Sequence, residues 1–233
     1  PASWHLWSPI TEKAEDIEAC RKMTFDAGEE PIGGTSWWLD PICLGRYPDT
    51  TGHSYEAYLP DTTAEDMKII SQPIDFIGMN VYQTYRGKAG ENGTCITIPN
   101  DPGYARTNAE WPVTPEALYW GPKFYEERYH KKLYITENGL SNQDWIFLDG
   151  QVHDLQRIDF LHRYLYQLKR AVEEGISVEG YFHWTLTDNF EWISGYNNRF
   201  GLVYTDFKNQ NRIIKDSGKW YRQVIETNGE IIK

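Results

Sequence analysis

Leu133-Tyr134-Ile135-Thr136-Glu137-Asn138-Gly139 is a short β-branched and aromatic run that ends on a carboxylate and an Asn-Gly turn. Residues 133–136 read as a buried strand. Glu137 then stands at the strand's carboxyl end, where a turn follows at once. A carboxylate held there is rigidly aimed, which suits a nucleophile, because attack geometry tolerates little slack. The alternative is a glutamate opening an exposed loop.

Outward from this strand, the chain alternates. Ile74–Met79 is a compact apolar run after Pro73 and ends at Asn80, a second strand. Val178–Leu186 is a third, and Trp4–Trp7 a short aromatic fourth. Between them lie helices. One follows Thr11 as N-cap, with Ala14, Ile17, Cys20 and Met23 inward. Thr114-Pro115-Glu116 starts another, which Gly121-Pro122 should interrupt before Tyr129. The clearest spans Leu155–Glu174, with Ile158, Leu161, Leu165, Leu168 and Val172 stepping by three and four and Gly175 past its end. A last helix covers Lys219–Thr227, after a hairpin excursion at Arg199–Tyr204. Residues 28–66 read as loop, with a short helix over Asp61–Met67, and 84–110 as a long loop rich in Gly, Asn and Thr.

Strand and helix in alternation make an α/β fold with a parallel sheet. Polar and aromatic residues gather past the strands' carboxyl ends: Asn80 and Tyr82, Glu137 and Asn138, Trp184 and Asp188. In a (β/α)8 barrel that face carries the chemistry. Only four strands are counted, so the 233 residues read as half a barrel, one folding unit over 1–233 with no second domain. Four strands would leave two unpaired edges and an uncovered interior, so the chain alone should be poorly soluble.

Composition removes whole classes. Lys and Arg number 23 against 34 Asp and Glu, a net charge of -11, and no basic cluster exceeds Lys131-Lys132, which argues against nucleic acid. No run of 18 apolar residues occurs, so no membrane span is expected. No signal-peptide pattern opens the chain, and a start at Pro1 suggests processing or trimming. Three cysteines without C-x-x-C spacing give neither a disulfide framework nor a zinc site, and fit a reducing cytoplasm. No metal or cofactor is expected, because no His/Asp/Glu cluster has ligand spacing. Aromatic residues reach 15%. Their rings can stack on sugar C–H faces while N–H and O–H groups bond hydroxyls, although a plain aromatic core explains composition equally.

The second dense block is His183-Trp184-Thr185-Leu186-Thr187-Asp188-Asn189-Phe190-Glu191-Trp192, leading to Arg199-Phe200-Gly201-Leu202. Burying so many polar groups requires a partner for each. A monosaccharide is one: Glu191 can accept from two adjacent hydroxyls, Trp192 can donate its indole N–H, and Trp184 can stack beneath the ring. A polar turn capped by packing tryptophans is the other reading.

Four ordered pieces carry a resemblance: Trp38-Leu39-Asp40-Pro41 with Gly45-Arg46-Tyr47-Pro48, then Asp75–Asn80, then Tyr134–Gly139, then His183–Asp206. Together they resemble the glycoside hydrolase family 1 β-glycosidases, retaining (β/α)8 barrels, over roughly strands five to eight. The resemblance implies Glu137 as nucleophile, forming a covalent glycosyl-enzyme intermediate, with Tyr82 orienting it and Asn80 beside the site. It implies Trp184, Glu191 and Trp192 as binders of the glycone sugar, Phe200 closing that pocket, Trp111 flanking the leaving group, and a cis peptide after Trp184. The expected substrate is an unphosphorylated β-glucoside or β-galactoside, because Glu191-Trp192 is intact and residues 194–198 hold no lysine. The family's acid/base lies in an Asn-Glu-Pro motif that this sequence lacks. Glu30-Pro31 is the nearest lookalike and reads as surface loop. An N-terminal half-barrel, in the same or a separate chain, is therefore the expected partner. A non-catalytic half-barrel that folds or binds sugar only with a partner is the competing reading.

Overall fold

The computed structural model describes residues 5–26, 34–49, 56 and 61–233. Trp4 and Glu30 lie outside them. The sheet that carries the site has three parallel strands, β2 (Phe76–Asn80), β5 (Lys132–Asn138) and β6 (Val178–His183), in the order β2-β5-β6. The fourth expected strand goes elsewhere. Its surviving part is β1 (Trp7–Pro9), which pairs in parallel with β3 (Tyr85–Ala89) in a second sheet completed by antiparallel β4 (Cys95–Ile98). Residues 84–110 are thus not a plain loop. They hold a β3–β4 hairpin, whose turn spans Glu91–Gly93.

Helices α4 (Ala117–Tyr129) and α5 (Leu155–Glu173) cover one face of the site sheet. Ile77 and Met79 of β2 and Leu133 and Ile135 of β5 point into that layer, where Leu118, Phe124, Leu161 and Tyr164 are fully buried. Phe76 and Phe182, on the opposite face, are about half exposed, at 49% and 58%. The strands therefore alternate, where the apolar run 74–79 suggested burial on both faces. Neither β2 nor β6 has a strand on its outer edge among the described residues.

Tertiary contacts moved several other boundaries. Helix α4 runs unbroken through Gly121-Pro122 because nine of its thirteen residues are buried, including both of these. Packing outweighs one lost backbone hydrogen bond. Helix α2 (Thr35–Leu44) occupies part of the expected 28–66 loop and contains Pro41. Its buried Asp40 accepts from Arg128 Nε at 3.0 Å and Tyr129 Oη at 2.8 Å, fastening α2 to α4. The short helix predicted at 61–67 is α3 (Ala64–Ile70), with a Thr63–Asp66 capping box.

In α1 (Ala14–Phe25), Lys13 is the N-cap and Thr11 instead donates to Asp16. That buried carboxylate also accepts from Ala89 N at 2.7 Å, which turns Asp16, Ala19 and Cys20 inward and leaves Ala14 exposed. Strand β6 stops at His183, short of Leu186. The hairpin β7 (Val203–Thr205) and β8 (Arg212–Ile214) follows, and α6 (Asp216–Glu226) begins three residues before the expected Lys219.

Candidate active site

Period-2 geometry alone would send Glu137 into the helix layer, behind Leu133 and Ile135. A β-bulge prevents this. Met79 pairs with Ile135, and the next residue of β2, Asn80, pairs with Glu137, so β5 carries one extra residue, Thr136. Against β6 the same shift recurs between Ile135 and Asn138. Glu137 consequently shares a face with Asn80, away from the helices, while Asn138 takes the buried side. Asn138 locks the bulge: its Nδ2 donates to Val81 O at 2.8 Å, and its Oδ1 accepts from Tyr181 Oη at 2.9 Å.

Tyr82 Oη donates to Glu137 Oε2 at 2.7 Å. Burial, and then the carboxylate it serves, push the Tyr82 phenol far above its ordinary range, so it remains a donor. Its backbone is fixed from below, where Tyr164 Oη donates to Tyr82 O at 3.0 Å and accepts from Thr114 N at 2.9 Å. The rings of Tyr82, Trp111 and Phe200 form a cluster with centroids 5.1–6.3 Å apart.

The opposing wall comes from the segment after β6. Gly139 approaches the Trp184 carbonyl so closely that a Cβ there would lie 1.9 Å from the oxygen. The Trp184–Thr185 peptide is cis. Trp184 Nε1 donates to Glu191 Oε1 at 3.2 Å. Burial, followed by repulsion from Glu137 and Asp188, raises the Glu191 carboxyl above the usual carboxylate range despite that donor. A cavity of about 280 Å³ results, lined by Tyr82, Trp111, Glu137, Trp184, Glu191, Trp192 and Phe200, together with Ala109, Ile193, Ser194 and Asn198. Seven of the eight expected site residues therefore meet. Asn80 stands outside the lining, and its Oδ1 accepts from Thr136 Oγ1 at 2.7 Å.

Sequence reasoning missed what supports this wall. Arg157, on α5, is fully buried and binds Asp154, Asp144 Oδ2 at 2.8 Å and Arg199 O at 2.8 Å. Lys215 donates to Asp144 and, at 2.8 Å, to Asp188 Oδ1. Asp188 also binds Arg199 and accepts from Gly201 N at 2.9 Å. The two outer aspartates respond oppositely. Burial pushes Asp144 up, but Arg157 and Lys215 outweigh it and leave the carboxyl lowered. For Asp154 burial wins over Arg157, and the carboxyl is raised. Burial of its ring, with the Arg157 and Lys215 charges, holds His183 down at about 3. The neutral imidazole donates from Nε2 to Phe200 O at 3.1 Å. The one hint in the sequence was an arginine one place from Ile158, at the start of the apolar stripe of α5.

Chemically, the cavity offers an oriented carboxylate, a second carboxyl that titrates above the usual carboxylate range, and aromatic walls. Among the described residues no third carboxyl lines it, and no group of three or more His, Cys, Asp or Glu could hold a metal ion. No helix among those residues is long and apolar enough to cross a membrane.

The sequence profile described as Glycosyl hydrolase family 1 matches residues 3–230. Over 224 residues the chain is 40% identical to the 1,4-beta-D-glucan glucohydrolase of Thermotoga neapolitana, covering 96% of this chain and 49% of that protein. It is 39% identical to Beta-glucosidase A of Acetivibrio thermocellus, covering 97% and 50% respectively. A solved family 1 β-glucosidase from Thermotoga maritima, in complex with isofagomine lactam, superposes with a TM-score of 0.79 at 39% identity, over 96% of this chain and 49% of the other. The chain spans about half the length of the curated relatives it matches.

Proposed function

The chain belongs to glycosyl hydrolase family 1, whose structural neighbours here are β-glucosidases, and on that premise we propose that it supplies the nucleophile side of a retaining β-glycosidase acting on terminal β-D-glucosides or β-D-galactosides. The observation that carries this reading is the 2.7 Å hydrogen bond from Tyr82 to Glu137 inside a cavity walled by aromatic rings. Glu137 attacks the anomeric carbon, the aglycone leaves, and water later releases the sugar from the covalent intermediate. Tyr82 holds the attacking oxygen in line. Trp184 stacks under the ring, Glu191 accepts from two adjacent hydroxyls, Trp192 donates its indole N–H, and Phe200 closes the glycone pocket. Trp111 flanks the leaving group, and Asn80 braces the strand end beside the nucleophile.

Retaining chemistry requires a second carboxyl about 5 Å from the nucleophile, acting as acid and then base. We assign it to an N-terminal half-barrel, in the same or a separate chain. Residues 1–233 then form one part of a single catalytic barrel. The exposed Phe76 and Phe182, and the edges of β2 and β6 that carry no strand among the described residues, support such a complement. The intact Glu191-Trp192 pair favours an unphosphorylated glycone, and the free thiols of Cys20, Cys43 and Cys95 fit a reducing cytoplasm. A non-catalytic sugar-binding half-barrel is disfavoured, because binding needs no oriented nucleophile. Glu137→Gln in the full-length protein should abolish hydrolysis of an aryl β-glucoside. Turnover at the wild-type rate would refute the assignment.

A further inference from the structure

Two cysteines far apart in the chain meet on the side of the molecule that carries the β1-β3-β4 sheet. Cys20 Sγ and Cys95 Sγ are 3.9 Å apart across a separation of 75 residues. Cys20 is fully buried on the face of α1 that packs against β3 and β4, and Cys95 is the first residue of β4, at the sheet edge. Both sulfurs lie over Gly87 of β3, where a Cβ would come within 2.7 Å of each. The glycine leaves a space that the two sulfurs fill. A surface cleft of about 410 Å³ between α1 and β4, walled by Ala19, Lys22, Met23, Asp26, Thr94 and Cys95, opens this pair to solvent. Cys95 lines that cleft and Cys20 does not, so a small reagent reaches Cys95 first.

We propose that Cys20 and Cys95 are a modification site, joined reversibly as a disulfide by a peroxide that enters the α1–β4 cleft. The Cys95 thiolate attacks one peroxide oxygen; the O–O bond breaks, giving the sulfenic acid of Cys95 and hydroxide, which takes up the proton the thiol released and becomes water. Cys20 then attacks the Cys95 sulfur. The S–S bond forms, the S–O bond breaks, and the departing hydroxide takes the Cys20 proton as water. The two thiols lose two electrons and the peroxide gains them. Closing 3.9 Å to a bond of about 2.05 Å calls for side-chain rotation and a small shift of an edge strand. Burial pushes both thiols up, Cys20 far above its ordinary range, so bond formation is slow at neutral pH and quickens as pH rises. Once formed, the bond fastens α1 to the edge of the sheet whose central strand begins three residues after Tyr82.

The test uses the full-length protein, incubated natively with hydrogen peroxide at about pH 8, where the thiolate fraction is larger. The sample is then denatured in excess N-ethylmaleimide and digested without reduction. Mass spectrometry should find the Cys20 and Cys95 peptides linked, with Cys43 as its maleimide adduct, and dithiothreitol should abolish the link. The oxidised protein should unfold several degrees higher than the reduced one, with no such shift in Cys95→Ser. In Cys20→Ser, Cys95 should instead accumulate as a sulfenic acid captured by dimedone. Recovery of both wild-type cysteines as maleimide adducts, or of Cys95 as sulfinic acid with Cys20 still alkylated, would overturn the proposal. So would a link from either cysteine to Cys43.

Discussion

Replacing Arg157 with Met removes a cation that is 0% exposed and leaves its carboxylate partners behind. Asp144 keeps Lys215. Asp154 keeps only Ser217, whose backbone N donates at 2.8 Å and whose hydroxyl also donates. Orphaning one member of a buried pair costs about 3–5 kcal/mol. A ceiling follows from proton binding. Asp154 can always escape by protonating, and from its ordinary value of 3.8 that takes about 4 kcal/mol at pH 7, at 1.36 kcal/mol per unit. At pH 5 the same escape takes about 1.6 kcal/mol. The expected loss is therefore about 3 kcal/mol at pH 7, a fall in Tm of about 6–12 °C, shrinking to under about 2 kcal/mol at pH 5. Adding Asp154→Asn should restore part of the loss at pH 7 and little at pH 5. Denaturation of the full-length protein at both pH values measures this. A Tm within about 2 °C of wild type, or a loss equal at the two pH values, would refute the claim that an uncompensated Asp154 charge is what destabilises.

Glu191 must be ionised to accept from two hydroxyls, and its carboxyl is raised, so kcat/KM should fall with decreasing pH from a point above the ordinary carboxylate value. Glu191→Gln should erase that limb while lowering kcat/KM at every pH; a limb that persists would assign it to another group. Asp144 has a lowered carboxyl, so its contribution is present above the unfolded value of 3.8 and is lost as pH falls through the folded one. Wild type should then exceed Asp144→Asn in stability by about 1–3 kcal/mol near neutrality, with the gap narrowing below about pH 4 in acid titrations. Gly139→Ala would set a Cβ 1.9 Å from the Trp184 oxygen and prise β5 from the Trp184 segment. Steady-state kinetics should show kcat/KM down by about 100-fold or more, and an unchanged value would mean that the contact relaxes freely.

Much of this site was legible because it is local. The 133–139 run, the Trp184–Trp192 block and the α5 stripe each declare themselves through composition and period. What stayed hidden depends on distant partners. Nothing near Pro41 or Pro122 announces that Asp40 binds Arg128, or that Gly121 sits against Leu6. Asp16 turned α1 by reaching β3, a contact 73 residues away. Arg157 reads as a surface charge until Asp144, Asp154 and the Arg199 carbonyl are folded around it. Asn80 was expected beside the site, but nothing local announces that its Oδ1 accepts from Thr136 or that the bulge brings Glu137 to the same face.

The bulge at Thr136 also limits how this chain can vary in length. Loops absorb inserted or deleted residues readily, because their ends can be rejoined at little entropic cost. Strand β5 cannot. Inserting one residue between Ile135 and Glu137, with the bulge kept, would preserve the Leu133 and Ile135 anchors while turning the carboxylate into the inward position now held by Asn138. Such a protein would lose the carboxylate from the cavity and bury it without a cation beside it, at a cost in stability as well as in chemistry. Grafts and circular permutants built on this barrel should leave residues 133–138 untouched and place their junctions in the exposed turns.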